Sequence, residues 1–226
     1  SEVVSKLLFI DETAPRVGGF FVELDGIKIV ADEKGIINLP QKEGLIFKLS
    51  LESEALDASF SLGGERFKLA RNVSSGLWSA IIPSISTTTP VFLSVRDASK
   101  NSFEDKEIVK LAPLDRGLVV DEETGDPIEG VVVNVLKFEE VSKRYKELSG
   151  PNSEAVRRIS DTDGRFDLVL EEGSYKVIVA LPGRRVTERN FELDRPAYVS
   201  LSLELKKASS LRSWVGKIIA RFKYGI

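Results

Sequence analysis

The chain of 226 residues contains no cysteine, no histidine and no methionine. Without cysteine it has no disulfide, no thiolate metal ligand and no thiol nucleophile, so its stability has to come from packing. Without histidine it lacks the commonest metal ligand and general base. Proton transfer would fall to Asp, Glu, Lys or Tyr, and most hydrolytic mechanisms lose their usual base. Methionine is missing even at position 1, from which a processed or excised segment of something larger is expected. An excess of one charge is absent too: 32 basic against 35 acidic residues give a net charge of −3, which offers no overall field to nucleic acid or an acidic substrate. No run approaches the roughly 18–20 apolar residues that span a bilayer, and none has the form of a signal peptide.

What is present is a grammar of short strands. The length suits two domains of about 100 residues and a short appendage. The first ten residues, SEVVSKLLFI, carry no diagnostic pattern. From Phe20 onward, FFVELDGIKIVADEKGIINLP reads as strand, Asp25-Gly26 turn, strand, Glu33-Lys34-Gly35 turn, strand. LIFKLSLES, ASFSLGGERFKLA with its Gly63-Gly64 turn, GLWSAIIP and PVFLSVRDASKN continue it, making about seven strands of an antiparallel sandwich. In LWSAIIP and VFLSVRD both faces carry apolar residues, so this pair is expected to be covered on both sides. Trp78 is expected to be a core anchor rather than an exposed sugar platform.

A boundary is expected at Leu111-Ala112-Pro113-Leu114, where the strand EIVKLAP ends at a proline. The second block is GLVVDEETGDPIEGVVVNVL, a polar stretch over 137–158, the hairpin SDTDGRFDLVLEEGSYKVIV, then RRVTERNFEL and PAYVSLSLEL. Val199, Leu201, Leu203 and Leu205 alternate with polar residues, the pattern of a strand with one buried face. KFEEVSKRYKELSG (137–150) breaks the period, with Phe138, Val141, Tyr145 and Leu148 at helical spacing. It is expected to be a short helix or a long hairpin excursion, and the best place in this domain for a specific contact.

The run GLVVDEETGDPIEGVVVNV followed by SDTDGRFDLVLEEGSYKVIVALPGR resembles the carboxypeptidase regulatory-like, or transthyretin-like, domain family over about 114–205. The resemblance is carried by Asp121, Thr124, Gly125, Pro127, Ile128, Gly130, Thr162, Asp163, Gly164, Phe166, Gly173, Tyr175, Pro182 and Gly183. It implies a seven-stranded prealbumin-like sandwich that usually carries no catalysis. The polar insertion over 137–158 is longer than the family usually has. The related collagen-adhesin B-type repeats can join Lys to Asn by an internal isopeptide bond. Lys137 and Asn190 are available, but no flanking motif matches and the bond is not expected. The first domain is similar, more weakly, to bacterial immunoglobulin-like surface repeats through DETAP (11–15), VRDASKNSFED and the position of Trp78. The expected organisation is therefore all-β: an Ig-like β-sandwich over 1–112, a carboxypeptidase regulatory-like β-sandwich over 113–206, and a basic amphipathic helix over 207–226.

Candidate sites are few. Asp161-Thr162-Asp163-Gly164 has the spacing that opens a calcium loop, with Glu172 at the twelfth position. The strand alternation of Phe166, Leu168 and Leu170 falls where such a loop would still be wrapping the ion. A turn is favoured, leaving Asp161 and Asp163 as weak metal candidates. Asp121, Glu122, Glu123 and Asp126 form an acidic cluster expected to be a solvated loop. No nucleophile–base pair or phosphate-binding loop is found, so neither catalytic nor cofactor-binding residues are assigned and no cofactor is expected.

LRSWVGKIIARFKYGI places Leu211, Trp214, Val215, Ile218, Ile219 and Phe222 on one helical face, with Arg212, Lys217, Arg221 and Lys223 around the rest. Such a segment can lie in an anionic membrane interface, dock on a partner subunit or pack on the chain's own sheets. The function expected is a non-catalytic structural and interaction module of a prokaryotic cell-surface or envelope-associated protein. Its partners would be other subunits or neighbouring domains, with a membrane surface as a further contact and no nucleic acid. The alternatives are carbohydrate-binding or accessory domains of a larger extracellular enzyme, including the regulatory part of a zinc carboxypeptidase whose catalytic domain lies elsewhere.

Overall fold

The computed structural model describes residues 13–52, 55–147 and 157–208, and among them every regular element is a β-strand. The described residues divide into two compact units: the first holds those up to Glu23 and from Val30 to Pro113, the second those from Leu24 to Ile29 and from Leu114 onward.

Among the described residues ten strands precede Gly117: β1 (Val17–Leu24), β2 (Ile27–Ile29), β3 (Ile36–Pro40), β4 (Leu45–Leu51), β5 (Ala55–Leu62), β6 (Glu65–Lys68), β7 (Ala70–Arg71), β8 (Trp78–Ile82), β9 (Thr89–Asp97) and β10 (Ser102–Leu114). They form two five-stranded sheets, ordered β2-β1-β4-β8-β7 and β3-β10-β9-β5-β6. The Asp25-Gly26 turn has both residues in the left-handed region, φ 51° and 77°, which is the conformation whose twist suits a two-residue hairpin. Phe47 of β4 and Phe60 of β5 bring the two sheets together, their rings 5.2 Å apart, and both are fully buried. Trp78 is buried, as its sequence setting predicts. The expectation of cover on both faces of β8 fails: Ile82 is buried but Ile81 is 65% exposed, opposite the exposed Ile46 of β4. A sheet in a two-layer sandwich has only one inner face, and β8 puts Ile81 on the outer one.

The VRDASKN segment is a hairpin closure. Asp97 is buried, and its Oδ1 accepts the Asn101 N–H at 2.8 Å while its Oδ2 accepts Asn101 Nδ2 at 3.1 Å. Pro113 does not end the preceding strand, because β10 runs on to Leu114.

The second unit contains β11 (Gly117–Asp121), β12 (Val132–Glu139), β13 (Arg144–Glu147), β14 (Arg157–Ile159), β15 (Arg165–Phe166), β16 (Val169–Leu170), β17 (Gly173–Ala180), β18 (Thr187–Leu193), β19 (Ala197–Tyr198) and β20 (Ser202–Leu205). One layer is β15-β11-β20 and the other β13-β12-β17-β18 with β14 also on β12; β16 pairs with β19. Between the layers lie Val119, Val133, Val135, Phe166, Leu168, Tyr175, Val177 and Val179, with Leu201 just before the last strand and Leu203 and Leu205 along it. The alternation seen in the sequence is thus the inner face of each strand.

Two expectations change here. The sandwich is not wholly antiparallel: β11 and β20 run parallel, Leu118 beside Ser202 through Asp121 beside Leu205. A strand that opens a domain and one that closes it are joined by a long excursion, so nothing forces the reversal a tight turn imposes. The 137–150 stretch, left open between helix and hairpin, is a hairpin as far as Glu147: β12 and β13 pair Phe138 with Tyr145 and Glu139 with Arg144, around a turn with Lys143 at φ 53°. The helix expected over 207–226 falls outside the described residues from position 209 onward.

Candidate functional site

At the end of β11 the chain reverses, and Asp121 supplies the means. Its Oδ1 accepts the N–H groups of Glu123 (2.8 Å) and Thr124 (3.3 Å), and its own carbonyl accepts from Gly125 at 2.8 Å. Its Oδ2 takes the Arg184 guanidinium Nη1. The Asp121 side chain is only 7% exposed, so the solvated acidic loop expected here is corrected: the leading carboxylate is buried and paired. Desolvating a carboxylate requires such a partner, and Arg184 sits just past the Pro182-Gly183 turn to provide it. The Arg184 hydrogen bond, with those from the Glu123 and Thr124 backbone, holds the Asp121 carboxyl below the usual range. Glu122 pairs with Lys206 at 2.7 Å and Glu123 with Lys207 at 3.4 Å, both on the surface.

The second polar cluster surrounds the 161–164 turn. Asp161 Oδ1 accepts from the backbone of Asp163 (3.0 Å) and Arg165 (2.9 Å), and its Oδ2 from Arg116 Nη1 at 2.6 Å. The Arg116 Nη2 lies 3.2 Å from Asp167 Oδ2, while the Tyr198 hydroxyl donates to Asp167 Oδ1 at 2.7 Å. Gly164 (φ 69°) is forced by close approach: a Cβ there would lie 2.5 Å from the Val119 carbonyl and 3.0 Å from the Ile128 nitrogen. Both Asp161 oxygens are committed, Oδ1 to backbone donors of the turn and Oδ2 to Arg116; Asp163 is exposed, and among the described residues no group of three acidic side chains converges on a point that could hold a metal.

The protonation states in this cluster are fixed rather than poised. The Arg165 backbone N–H, with Arg116, lowers the Asp161 carboxyl; burial, then the Asp167 carboxylate, raises the Tyr198 phenol. Burial opposes the Arg116 charge, but Asp161 and Asp167 outweigh it and raise its pKa. A general acid or base needs a pKa near the working pH, and these shifts all move away from it.

The third feature is the outer face of the β12–β13 hairpin. Phe138 and Tyr145 meet edge to face with ring centroids 5.3 Å apart. Lys176 Nζ stands 4.7 Å above the Tyr145 ring and 3.7 Å from Glu188. At the hairpin tip Val141 is 96% exposed. On the inner side of the same strand Lys137 lies 3.7 Å from Glu171 and 5.8 Å from the ring centre of Tyr175. The Tyr175 hydroxyl donates to the Glu171 carbonyl at 3.0 Å, and burial, with Glu171 and Glu172, pushes its pKa up to about 12.

The candidates named from sequence are therefore not gathered into one site. Asp161 and Asp163 belong to a turn. Lys137 and Asn190 are held apart, on β12 and β18 with β17 between them; Lys137 pairs across with the inward Tyr175, Asn190 with the outward Lys176. Leu211, Trp214, Val215, Lys217, Ile218, Ile219, Arg221, Phe222 and Lys223 lie outside the described residues. Sequence reasoning missed Arg116, Asp167, Arg184 and Tyr198. Nothing in their local spacing marks them, because each finds its partner 31 to 63 positions away only after folding; Tyr198 and Asp167 are the nearest at 31, Arg184 and Asp121 the farthest at 63.

No protein-family model matches the chain, and no curated protein matches it. It is similar to the solved structure of a group B streptococcus pilus 2b backbone protein, at 12% identity over 86% of this chain and 100% of that one, with a TM-score of 0.33. A variant of the shaft pilin SpaA from Lactobacillus rhamnosus GG gives 10% identity over 72% and 88%, with a TM-score of 0.30. A mutant catechol 1,2 dioxygenase from Acinetobacter radioresistens gives 18% over 42% and 52%, with a TM-score of 0.28, so the chain spans about half the length of that enzyme. TM-scores this far below 0.5 establish no common fold, and nothing about function passes from those proteins to this chain.

Proposed function

We propose that this chain is a non-catalytic structural and interaction module of a prokaryotic cell-surface or envelope-associated assembly, working through other protein subunits or neighbouring domains. The observation that carries this reading is where the acidic residues go. Asp121 and Asp161, which lead the acidic motifs of the sequence, are each consumed in closing a turn, and so is Asp97. The partly exposed Phe138 and Tyr145 then form an aromatic patch of the kind enriched in protein contacts, with Lys176 over the Tyr145 ring. On this reading residues 1–112 and 113–206 are the Ig-like and carboxypeptidase regulatory-like sandwiches, and the basic amphipathic helix over 207–226 is the contact to a membrane or a subunit.

Labelling intact source cells with a membrane-impermeant amine reagent tests the location. Lys143 and Lys146 are exposed and well suited to report it. Labelled chain from intact cells is expected; a chain that labels only after lysis would overturn the surface reading.

A further inference from the structure

Residues 72–77 join β7 to β8 in the first unit and close on themselves. The Asn72 N–H donates to the Leu77 carbonyl and the Gly76 N–H to the Asn72 carbonyl, both at 2.8 Å. The Asn72 side-chain Oδ1 accepts from the backbone of Ser74 at 3.0 Å and Ser75 at 3.1 Å. Val73 is 90% exposed, Asn72, Ser74 and Ser75 are exposed too, and a Cβ added at Gly76 would meet nothing within 4 Å.

We propose that Asn72 is the acceptor of an N-linked glycan. Asn72-Val73-Ser74 fits the Asn-x-Ser/Thr acceptor pattern, and of the six asparagines in the chain it is the one with Ser or Thr two positions on. A short pattern of this kind arises by chance, and what distinguishes this copy is its setting. It lies on a self-contained surface loop that can enter a transferase without opening the sandwich. The Asx turn engages Oδ1 and leaves the nucleophilic end, Nδ2, out of the loop's hydrogen bonds. The Ser74 hydroxyl, which such a transferase reads, is likewise unused in the loop, where the hydroxyl that accepts from Leu77 belongs to Ser75. A glycan here would also cover Val73, an apolar side chain otherwise left in water.

The co-reactant is a polyprenyl-diphosphate-linked oligosaccharide. Nδ2 attacks the anomeric carbon, the new N–C bond forms as the C–O bond to diphosphate breaks, the lipid diphosphate leaves with the electron pair, and the amide gives up one proton.

The proposal rests on the chain being exported, and its test separates the two. Trypsin cuts after Arg71, so the peptide 72–96 carries Asn72 as its sole asparagine. In protein purified from the source organism this peptide is expected to carry the mass of a glycan. Ser74→Ala keeps both backbone bonds to Asn72 Oδ1, so the thermal midpoint should hold while the added mass disappears; Asn72→Gln should lose it as well. An added mass that survives both substitutions belongs to one of the peptide's hydroxyls and overturns the assignment. The chain is also secreted from an N-glycosylating host behind a cleavable leader. A bare peptide from both sources means that Asn72 is no acceptor. A glycan from the host alone overturns the native modification and leaves the surface reading standing, because the loop is then competent and a surface chain can be exported by a route that does not glycosylate; amine labelling of intact cells decides the surface reading separately.

Discussion

Asp121 and Asp161 behave alike at the residue scale: each is an acidic turn residue whose carboxylate is stabilised by backbone N–H groups and one arginine. Both carboxyl pKa values are lowered from 3.8, so the sign is that of a group more acidic in the folded chain. Their contribution is complete above the unfolded value near pH 4 and is lost as pH falls through the lower folded value. The unfolding midpoint of the second unit is expected to drop steeply on acidification below about pH 4, and more shallowly in Asp121→Asn and Asp161→Asn. Urea titrations at a series of pH values measure both slopes; parallel curves for the variants and the parent would remove these residues as the cause. Gly164→Ala is the steric counterpart. The substitution places a Cβ against the Val119 carbonyl at a left-handed position, so it should cost more than about 1 kcal/mol in chemical denaturation.

The β12–β13 hairpin shows how one element serves two environments. Its inward residues Val133 and Val135 are fully buried, while Phe138 and Tyr145 meet edge to face on the outside. Tyr145→Ala should therefore cost under about 1.5 kcal/mol, the worth of an aromatic pair, and a double-mutant cycle with Phe138→Ala should recover a coupling of that size. Phe166→Ala, on the inner face of β15, should cost about 3–5 kcal/mol, because the cavity it leaves is walled by the rest of the core. Equal costs for the two would mean that the outer aromatics pack as a second core. Strand existence and facing were legible here from alternation and turn residues. The parallel β11–β20 pair was not, since alternation specifies a face and leaves the neighbour unspecified.

At the scale of the whole molecule, each unit has its own closed core, one built around Phe47 and Phe60, the other around Phe166 and Tyr175. Calorimetry on the full chain is expected to show two transitions, with Phe60→Ala lowering one and Phe166→Ala the other. A single transition shifted by both substitutions would show that the units unfold as one. The membrane contact proposed for the C-terminal segment has its own test in vesicle flotation with anionic lipid. The intact chain should float at low salt and a chain ending at Ala208 should not; equal behaviour removes the membrane contact.

The sequence alone determined the things that local physics enforces. Missing histidine and cysteine narrowed the chemistry, period-two alternation fixed which side chains enter each core, and Asp-Gly or Gly-Gly pairs placed the hairpins, because each depends on a few adjacent residues. The same locality explains why 137–150 stayed ambiguous: Phe138, Val141, Tyr145 and Leu148 satisfy a helical period, and only the pairing of Phe138 with Tyr145 across a strand chooses the hairpin. Tertiary structure decided what the acidic turns were for. Asp121 looked like a solvated charge until the fold brought Arg184 to it, and the turn that the sequence favoured at Asp161 over a cation loop is tied down by Arg116 on its second oxygen. A carboxylate's role is set by which cation reaches it, and contacts made across long separations in sequence leave no periodic trace along the chain.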